Sequence, residues 1–457
     1  MKYDKLAIST PEGLLFGNAL YPVTTKRGLI IGGGSVIPEL NFTLPTMSIN
    51  TQTLPAIGEH YRSIVTEAIE HARHMHAPGV IFEFETLLEM TATPSIGIDL
   101  VKIMNEVCED NYQKFGFKSE IRLTPNDLRE FDRPPLCRTS KYLDPMWELF
   151  DKGSLAGGDL LSIESTGGKE IHDDALMMCD IKASVFALSV LGVRDMKMLW
   201  SNIVAIAKKN NKIAAGDTAC GFGNTAMVLA EKGYIPKVFA AVVRIVTAVR
   251  TLVAIEEGAV GPDKDCGYEG PFLKAITGTP ISMEGKTSAC AHFSPLGNIA
   301  ACCADLWSNE SVQNIKLLSG MAPTVYLEQL EYDARLMNQA LKSGKATATM
   351  LQQLFADSDK SLDPQAIILA PENVIAISQE IVKGANYIDA SVRAALKGLE
   401  IIEKAYLAGQ LLLPEMEISW IDMLGQSLSE IPTNESKFVE EMLPMFEGKF
   451  IPKEYGL

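Results

Sequence analysis

Cysteine is sparse in this chain, and what there is of it is scattered. Eight cysteines, at positions 108, 137, 179, 220, 266, 290, 302 and 303, are spread over 457 residues. That is too thin for a disulfide framework, so reduced thiols are expected, most of them acting as small buried hydrophobes. A long hydrophobic run is also lacking. The most apolar stretch, residues 238–243, stops at Arg244, far short of the ~20 residues that a membrane span requires. Residues 1–11 carry neither a basic region followed by an apolar core nor an Arg-rich amphipathic pattern, so the expectation is a soluble, cytoplasmic protein with no membrane partner. Positive charge is in deficit, with 41 Lys and Arg against 57 Asp and Glu and a net charge of −16. Without a basic stripe interleaved with aromatics, nucleic acid is excluded as a partner.

Internal repeats and low-complexity tracts are absent too, and no long segment has the composition of a disordered chain. With 47% hydrophobic and 21% charged residues, the chain is expected to bury one large core or two ordinary ones. Short apolar runs alternate with helical patterns from about residue 28 to residue 310, as in repeated βα units around a parallel sheet. Eight runs can be counted, at 29–31, 79–84, 120–123, 160–163, 188–191, 212–216, 252–255 and 280–283. Helices are predicted over 63–76, 195–210, 224–232 and 236–250. Eight strands with helical crossovers over about 250 residues fit a (β/α)₈ barrel of the α/β class better than an open doubly wound sheet. The dinucleotide fingerprint that would favour the open sheet fails, because the glycines at 32–34 are followed by Ile37 and Pro38. After residue 310 the pattern is helical only, over 324–342, 364–382 and 388–408. The predicted organisation is therefore a barrel with an amino-terminal extension (1–310) and a helical segment (311–457) that covers the barrel or forms a subunit interface.

Reacting groups in such a barrel come from the loops at the carboxyl ends of the strands. Three residues stand there. Glu164 follows the fourth run and precedes Gly167-Gly168, Cys220 lies three residues past Asp217 after the sixth, and Cys266 lies in the long loop after the seventh. One carboxylate and two thiols suit zinc, which keeps three protein ligands and an open position when catalytic. No C-x-x-C or H-E-x-x-H motif is present, so spacing alone leaves two readings open: a zinc site, or satisfied core residues.

Longer stretches carry a resemblance. Residues 161–170, 215–220, 258–269 and 283–288, which include Glu164, Asp217, Cys220, Asp265, Cys266 and Lys286, are together similar to the zinc-containing subunit of methanol:corrinoid methyltransferases, and the similarity runs from about Leu15 to the final Tyr455-Gly456-Leu457. The resemblance implies a (β/α)₈ barrel with one zinc ion held by Glu164, Cys220 and Cys266, and a separate corrinoid-binding subunit. It implies transfer of the methyl group of methanol to the Co(I) of that partner, with zinc polarising the C–O bond. Asp217 and Glu83 are the candidate proton donors, and a homodimer within a hetero-oligomer is the expected assembly. Ala219 stands where archaeal members carry an acidic residue, which leaves open a related enzyme acting on a methyl ether, another alcohol or a methylthiol. A non-catalytic zinc-bearing scaffold for a corrinoid subunit is the alternative from another class.

Other patterns carry less. Glu284-Gly285-Lys286-Thr287 resembles the end of a phosphate-binding loop, but Pro280 stands where its first glycine belongs. His71, His74 and His76 sit near a helix carboxyl terminus, where such side chains suit the dipole. Cys290, Cys302 and Cys303 are expected in the core.

Overall fold

The computed structural model describes residues 1–43, 47–264, 266, 268–286, 294–312, 316–318 and 320–457. An antiparallel hairpin of β1 (Asn18–Thr24) and β2 (Ile30–Gly33) comes first. The main sheet is parallel and seven-stranded: β3 (Ile37–Thr43), β4 (Val80–Glu85), β5 (Ser119–Thr124), β6 (Gly158–Ile163), β7 (Ile213–Asp217), β8 (Ser282–Glu284) and β9 (Leu306–Val312), in the order β7-β6-β5-β4-β3-β9-β8. Parallel strands require crossovers, and helices such as Leu54–His74, Pro94–Phe115 and Val193–Lys209 supply them.

Between β7 and β8 the chain runs as an extended segment over residues 259–264. Val260 and Gly261 donate to the Ala214 and Ala215 carbonyls at 2.9 Å, and the Lys264 N–H reaches the Asp217 carbonyl at 3.3 Å. On its other side the Ser282 N–H reaches Asp263 Oδ1 at 3.0 Å. This segment fills the sixth stave and completes the expected (β/α)₈ barrel. It fits because two glycines let backbones meet. A Cβ on Gly261, whose φ is +81°, would stand 2.6 Å from the Pro280 carbonyl oxygen, and one on Gly216 would stand 2.6 Å from Asp263 Cα.

Several strand expectations are corrected. Residues 29–31 belong to the hairpin, where Leu29 and Ile31 join Ile37, Ile81, Leu160, Ala215 and Leu306 in a cluster plugging the amino end of the barrel. Residues 188–191 lie in a π-helical turn, Ala187–Gly192, and residues 252–255 in the helix Lys237–Glu257; a short apolar run reads alike as strand or buried helix. That helix is long and apolar enough to cross a membrane by length and composition, yet its apolar stretch is wholly buried in the protein. The strands that went unread, β3 and β9, contribute to the barrel's polar interior: Glu39 and Asn41 on β3 and Ser308, the partner of Glu39, on β9, all buried. Within the barrel Arg122 pairs with Glu39 at 2.6 Å and donates to Ser162 Oγ and the Pro262 carbonyl, and Ser282 donates to Glu39. Glu164 thus follows the fourth stave as expected, while Cys220 and Cys266 follow the fifth and sixth.

β9 runs past residue 310 to Val312, and the helix Ala322–Lys342 packs on β9 and β3 to complete the eighth unit. Six further helices follow between Lys345 and Met442.

Candidate metal centre

Each element delivers one group to the barrel mouth. β6 ends at Ile163 and Glu164 follows at once, half-buried. β7 ends at Asp217, and Cys220 opens a π-helical turn, Cys220–Asn224, that leads into the helix Thr225–Glu231. π-turns of this kind often mark functional positions. Cys266, 2% exposed, follows the sixth stave. Among the described residues these three form one set whose ligating atoms all lie within 4.8 Å of one another. The Cys266 thiol donates to Glu164 Oε1 at 3.0 Å.

Lys264 accompanies them. Its side chain is 2% exposed, and its Nζ lies 2.9 Å from Glu164 Oε1, 3.5 Å from Glu83 Oε1, 3.6 Å from Glu85 Oε2 and 3.9 Å from Cys266 Sγ. Glu83 also accepts from Thr124 Oγ1 at 2.8 Å and from Asn41 Nδ2 at 3.4 Å. The expected Glu83 is therefore at the mouth, joined to Glu164 through a lysine that sequence reasoning passed over. A cavity of about 120 Å³ opens beside the cluster, lined by Glu85, Thr124, Asn126, Glu164, Lys169 and Gly221 among others.

Asp217 takes a different place. Its Oδ1 accepts from the Ser165 and Thr218 N–H groups at 3.2 and 2.8 Å, and its Oδ2 accepts from the Trp200 indole at 2.7 Å. Burial pushes its carboxyl up to about 6, against the pull of Arg250, whose Nη1 is 3.9 Å away, and of the Trp200 and Ser165 hydrogen bonds. Both oxygens are engaged in holding the loops that follow β6 and β7, and neither joins the cluster.

The same loops are braced from below by the helix Lys237–Glu257. Arg250 Nη2 donates to the Ser165 carbonyl and hydroxyl at 2.7 and 2.8 Å, and its guanidinium lies 4.3 Å over the Phe222 ring, so one side chain ties the Glu164 loop to the Cys220 turn. Arg244 reaches the Gly223 carbonyl at 3.3 Å and Asn224 Oδ1 at 3.4 Å. Asn224 in turn donates to the Cys266 carbonyl. Buried Glu269 accepts from the Ala219 N–H at 2.7 Å and from Thr251 Oγ1 at 2.8 Å. Asn224 and Arg250 were missed because they lie outside the stretches that carry the resemblance, and Lys264 and Glu269 because, within 258–269, neither is a zinc-ligating residue of the expected set. The one available signal was Lys264, two residues from Cys266 in the same loop.

The remaining candidates fall elsewhere. Cys302 and Cys303 are buried in the core, where burial pushes both thiols up, that of Cys303 to about 12. His71 pairs with Glu328 at 2.6 Å, away from the mouth. Lys286 pairs with Asp333. Asp265, Thr287 and Cys290 lie outside the described residues.

A barrel that gathers a carboxylate and two thiols at the carboxyl ends of its staves has the site placement of the (β/α)₈-barrel enzymes. The sequence model of the family described as Methanol-cobalamin methyltransferase B subunit matches residues 1–456. The chain is 37% identical over 463 residues to the methanol–corrinoid protein co-methyltransferase of Methanosarcina barkeri (strain Fusaro / DSM 804), an alignment covering 100% of this chain and 99% of the relative. It also superimposes, with a TM-score of 0.93 and 36% identity, on a chain in the crystal structure of the methanol:cobalamin methyltransferase complex MtaBC from Methanosarcina barkeri, covering 100% of this chain and 99% of that one. The chain belongs to the methanol-cobalamin methyltransferase B subunit family, and the resemblance read from its loops is borne out.

Proposed function

We propose that this chain transfers the methyl group of methanol to the corrinoid cobalt of a separate protein, using a zinc ion held by Glu164, Cys220 and Cys266. The observation that carries the reading is the convergence of one carboxylate and two thiols at the barrel mouth, all within 4.8 Å, in a member of this family. The donor set fits the ion: three ligands at about 2.0–2.3 Å from a tetrahedral zinc stand about 3.3–3.8 Å apart. Methanol is a poor methyl donor because its leaving group is a strongly basic hydroxide. When bound, zinc supplies a Lewis acid that draws electron density from the alcohol oxygen and weakens the C–O bond.

The chain's own residues do the rest. Glu164 and the two cysteines fill one side of the pocket and leave the side towards the cavity of about 120 Å³ for a small alcohol. Glu83, hydrogen-bonded by Thr124 and Asn41 beside Lys264, is the group that handles the proton as the C–O bond breaks. Asp217, with Trp200 and Arg250, holds the ligand loops in register. The barrel mouth, where Glu164, Cys220 and Cys266 gather, would be the side open to the corrinoid-bearing partner, and a dimer of this chain within that assembly belongs to the same proposal.

Cys220→Ala and Cys266→Ala should each lower bound zinc and slow cobalt methylation by at least 10- to 100-fold, the loss usual for a disturbed metal site. Metal analysis and the absorbance change of the reduced corrinoid protein on methylation read both quantities. A variant that keeps its zinc and its full rate with methanol would remove that thiol from the site.

A further inference from the structure

We propose that Lys264 is a positioning residue for the donor set, a fixed counter-charge beside Glu164 and Cys266 that offsets the surplus negative charge of the mouth. The inference rests on the zinc reading above and adds to it a residue with no ligating atom.

Several observations point the same way. The ammonium of Lys264 is almost completely buried, and a buried cation persists only where anions surround it. Its neighbours are Glu164 at 2.9 Å, Glu83 at 3.5 Å and Glu85 at 3.6 Å, with Cys266 Sγ at 3.9 Å. Its place is fixed by the backbone, because its N–H bonds the Asp217 carbonyl at the end of the fifth stave. The sixth stave therefore brings a cation and a thiol donor to the mouth together, two residues apart, and aims the cation at the carboxylate donor of the fourth.

The electrostatic consequence follows from counting charges. Two thiolates and a carboxylate around a divalent ion leave one negative charge in surplus, which would make the ion a poor acceptor of the charge that develops on the alcohol oxygen. A positive group less than 4 Å from two of the three donors, itself buried beside a half-buried Glu164, draws electron density back from them. Lys264 thus strengthens the pull on the alcohol, and it does so without tightening the hold on the ion, since a cation beside a cation opposes binding.

That pair of effects separates Lys264 from a structural prop. Wild type, Lys264→Gln and Lys264→Arg are compared for zinc affinity by competition with a chromophoric chelator, for the visible and near-ultraviolet bands of the Co²⁺-substituted forms, and for kcat and KM with methanol and the reduced corrinoid protein. The expected K264Q protein holds zinc at least as tightly as wild type. Its thiolate-to-metal charge-transfer bands move to longer wavelength, because the sulfur electrons lose a stabilising charge, and kcat falls about 10- to 100-fold with little change in KM. K264R, which keeps the charge, returns the bands towards their wild-type positions.

The proposal is overturned if K264Q keeps wild-type bands and kcat, or if it loses zinc in step with activity and K264R does no better. Should K264Q fail to fold, the double variant K264M/E83Q, which removes the cation with one of its buried partners, carries the same spectroscopic expectation. Failure of the zinc reading looks different: wild type would then bind no zinc through Glu164, Cys220 and Cys266, whatever residue 264 is.

Discussion

His172 shows how much a single buried side chain is set by its surroundings. It lies on the helix Lys169–Met178, which begins five residues after Glu164, and its ring stands 5.0 Å from that of Phe222 in the Cys220 turn. Neither ring nitrogen has a hydrogen-bond partner, and burial, helped by the charges of Lys169 and Arg250, depresses its pKa from 6.5 to about 3. The imidazole is thus a neutral, apolar wedge between two ligand loops. Because its folded pKa lies below its unfolded value, the unfolded chain takes up the extra proton. Stability is therefore whole above pH 6.5 and drains away as the pH falls towards 3, by up to about 1.4 kcal/mol per pH unit. His172→Phe, similar in shape, should flatten that part of the acid-unfolding curve; chemical denaturation at pH 7 and pH 4.5 reads the difference, and an unchanged pH slope would mean that His172 is protonated in the fold. The same dependence on surroundings explains which site residues could be read from the sequence. Glu164, Cys220 and Cys266, which the fold brings together, could be named as candidates because their chemistry is distinctive and their flanking stretches resemble a known family. Lys264, Arg250 and Asn224 were not, since a lysine, an arginine or an asparagine acquires its role only from what the fold places within 3 or 4 Å of it. Asp217 illustrates the converse. It stands close to a ligand in sequence, yet its carboxylate turns to Trp200 and two backbone N–H groups.

At the scale of elements, β4 to β8 were read although β4 and β5 carry Glu83 and Arg122 among their apolar residues, whereas β3 and β9, interrupted by Pro38 and by a run of polar residues, were missed. β3 reads Ile-Pro-Glu-Leu-Asn-Phe-Thr and β9 Leu-Trp-Ser-Asn-Glu-Ser-Val. Alternate residues of a barrel strand point inward, and here the inward set includes Glu39 and Asn41, which serve Arg122 and Glu83. An apolar-run criterion fails where consecutive polar residues break the run, as Ser308-Asn309-Glu310 do in β9. The sixth stave is a stronger case, because it has no regular strand pairing at all; Pro262 lacks an N–H, and the segment is defined by close approach. Gly261→Ala tests its importance. The new Cβ would meet the Pro280 carbonyl at 2.6 Å from a backbone with φ of +81°, a strain of about 1–3 kcal/mol. Since the stave carries Lys264 and Cys266, G261A should lower the melting temperature and weaken zinc retention together. A variant with lowered stability and unchanged zinc affinity would show that the stave and the site relax independently.

For the molecule as a whole, the helix Lys237–Glu257 is the axis on which the two halves of the chain meet. Every residue from Val238 to Glu256 is buried, and its inner side carries the arginines that brace the ligand loops. Its outer side packs most extensively against the helix Tyr387–Leu407. Contacts from the carboxyl-terminal segment are specific as well as apolar. Glu417 accepts from the Lys237 and Val238 N–H groups at 2.8 and 2.9 Å, satisfying donors at the helix start. Gln365 accepts from Arg244 at 3.2 Å, and Arg244 holds the Cys220 turn. Tyr455, near the end of the chain, accepts from the Gly168 N–H at 3.0 Å just beyond Glu164. These contacts pack residues 345–457 against the barrel. They also imply that the barrel does not stand alone. Exposing even six large apolar side chains of the central helix would cost about 9–18 kcal/mol at about 1.5–3 kcal/mol each, as much as the roughly 5–15 kcal/mol of stability that a folded domain possesses. A chain ending at Gly344 should therefore be recovered as aggregate or as an expanded, zinc-free species in size-exclusion chromatography, even though it retains every stave and all three proposed ligands. A soluble, compact truncated chain that still binds one zinc would show that the barrel is an independent domain and that the helices beyond it serve another purpose.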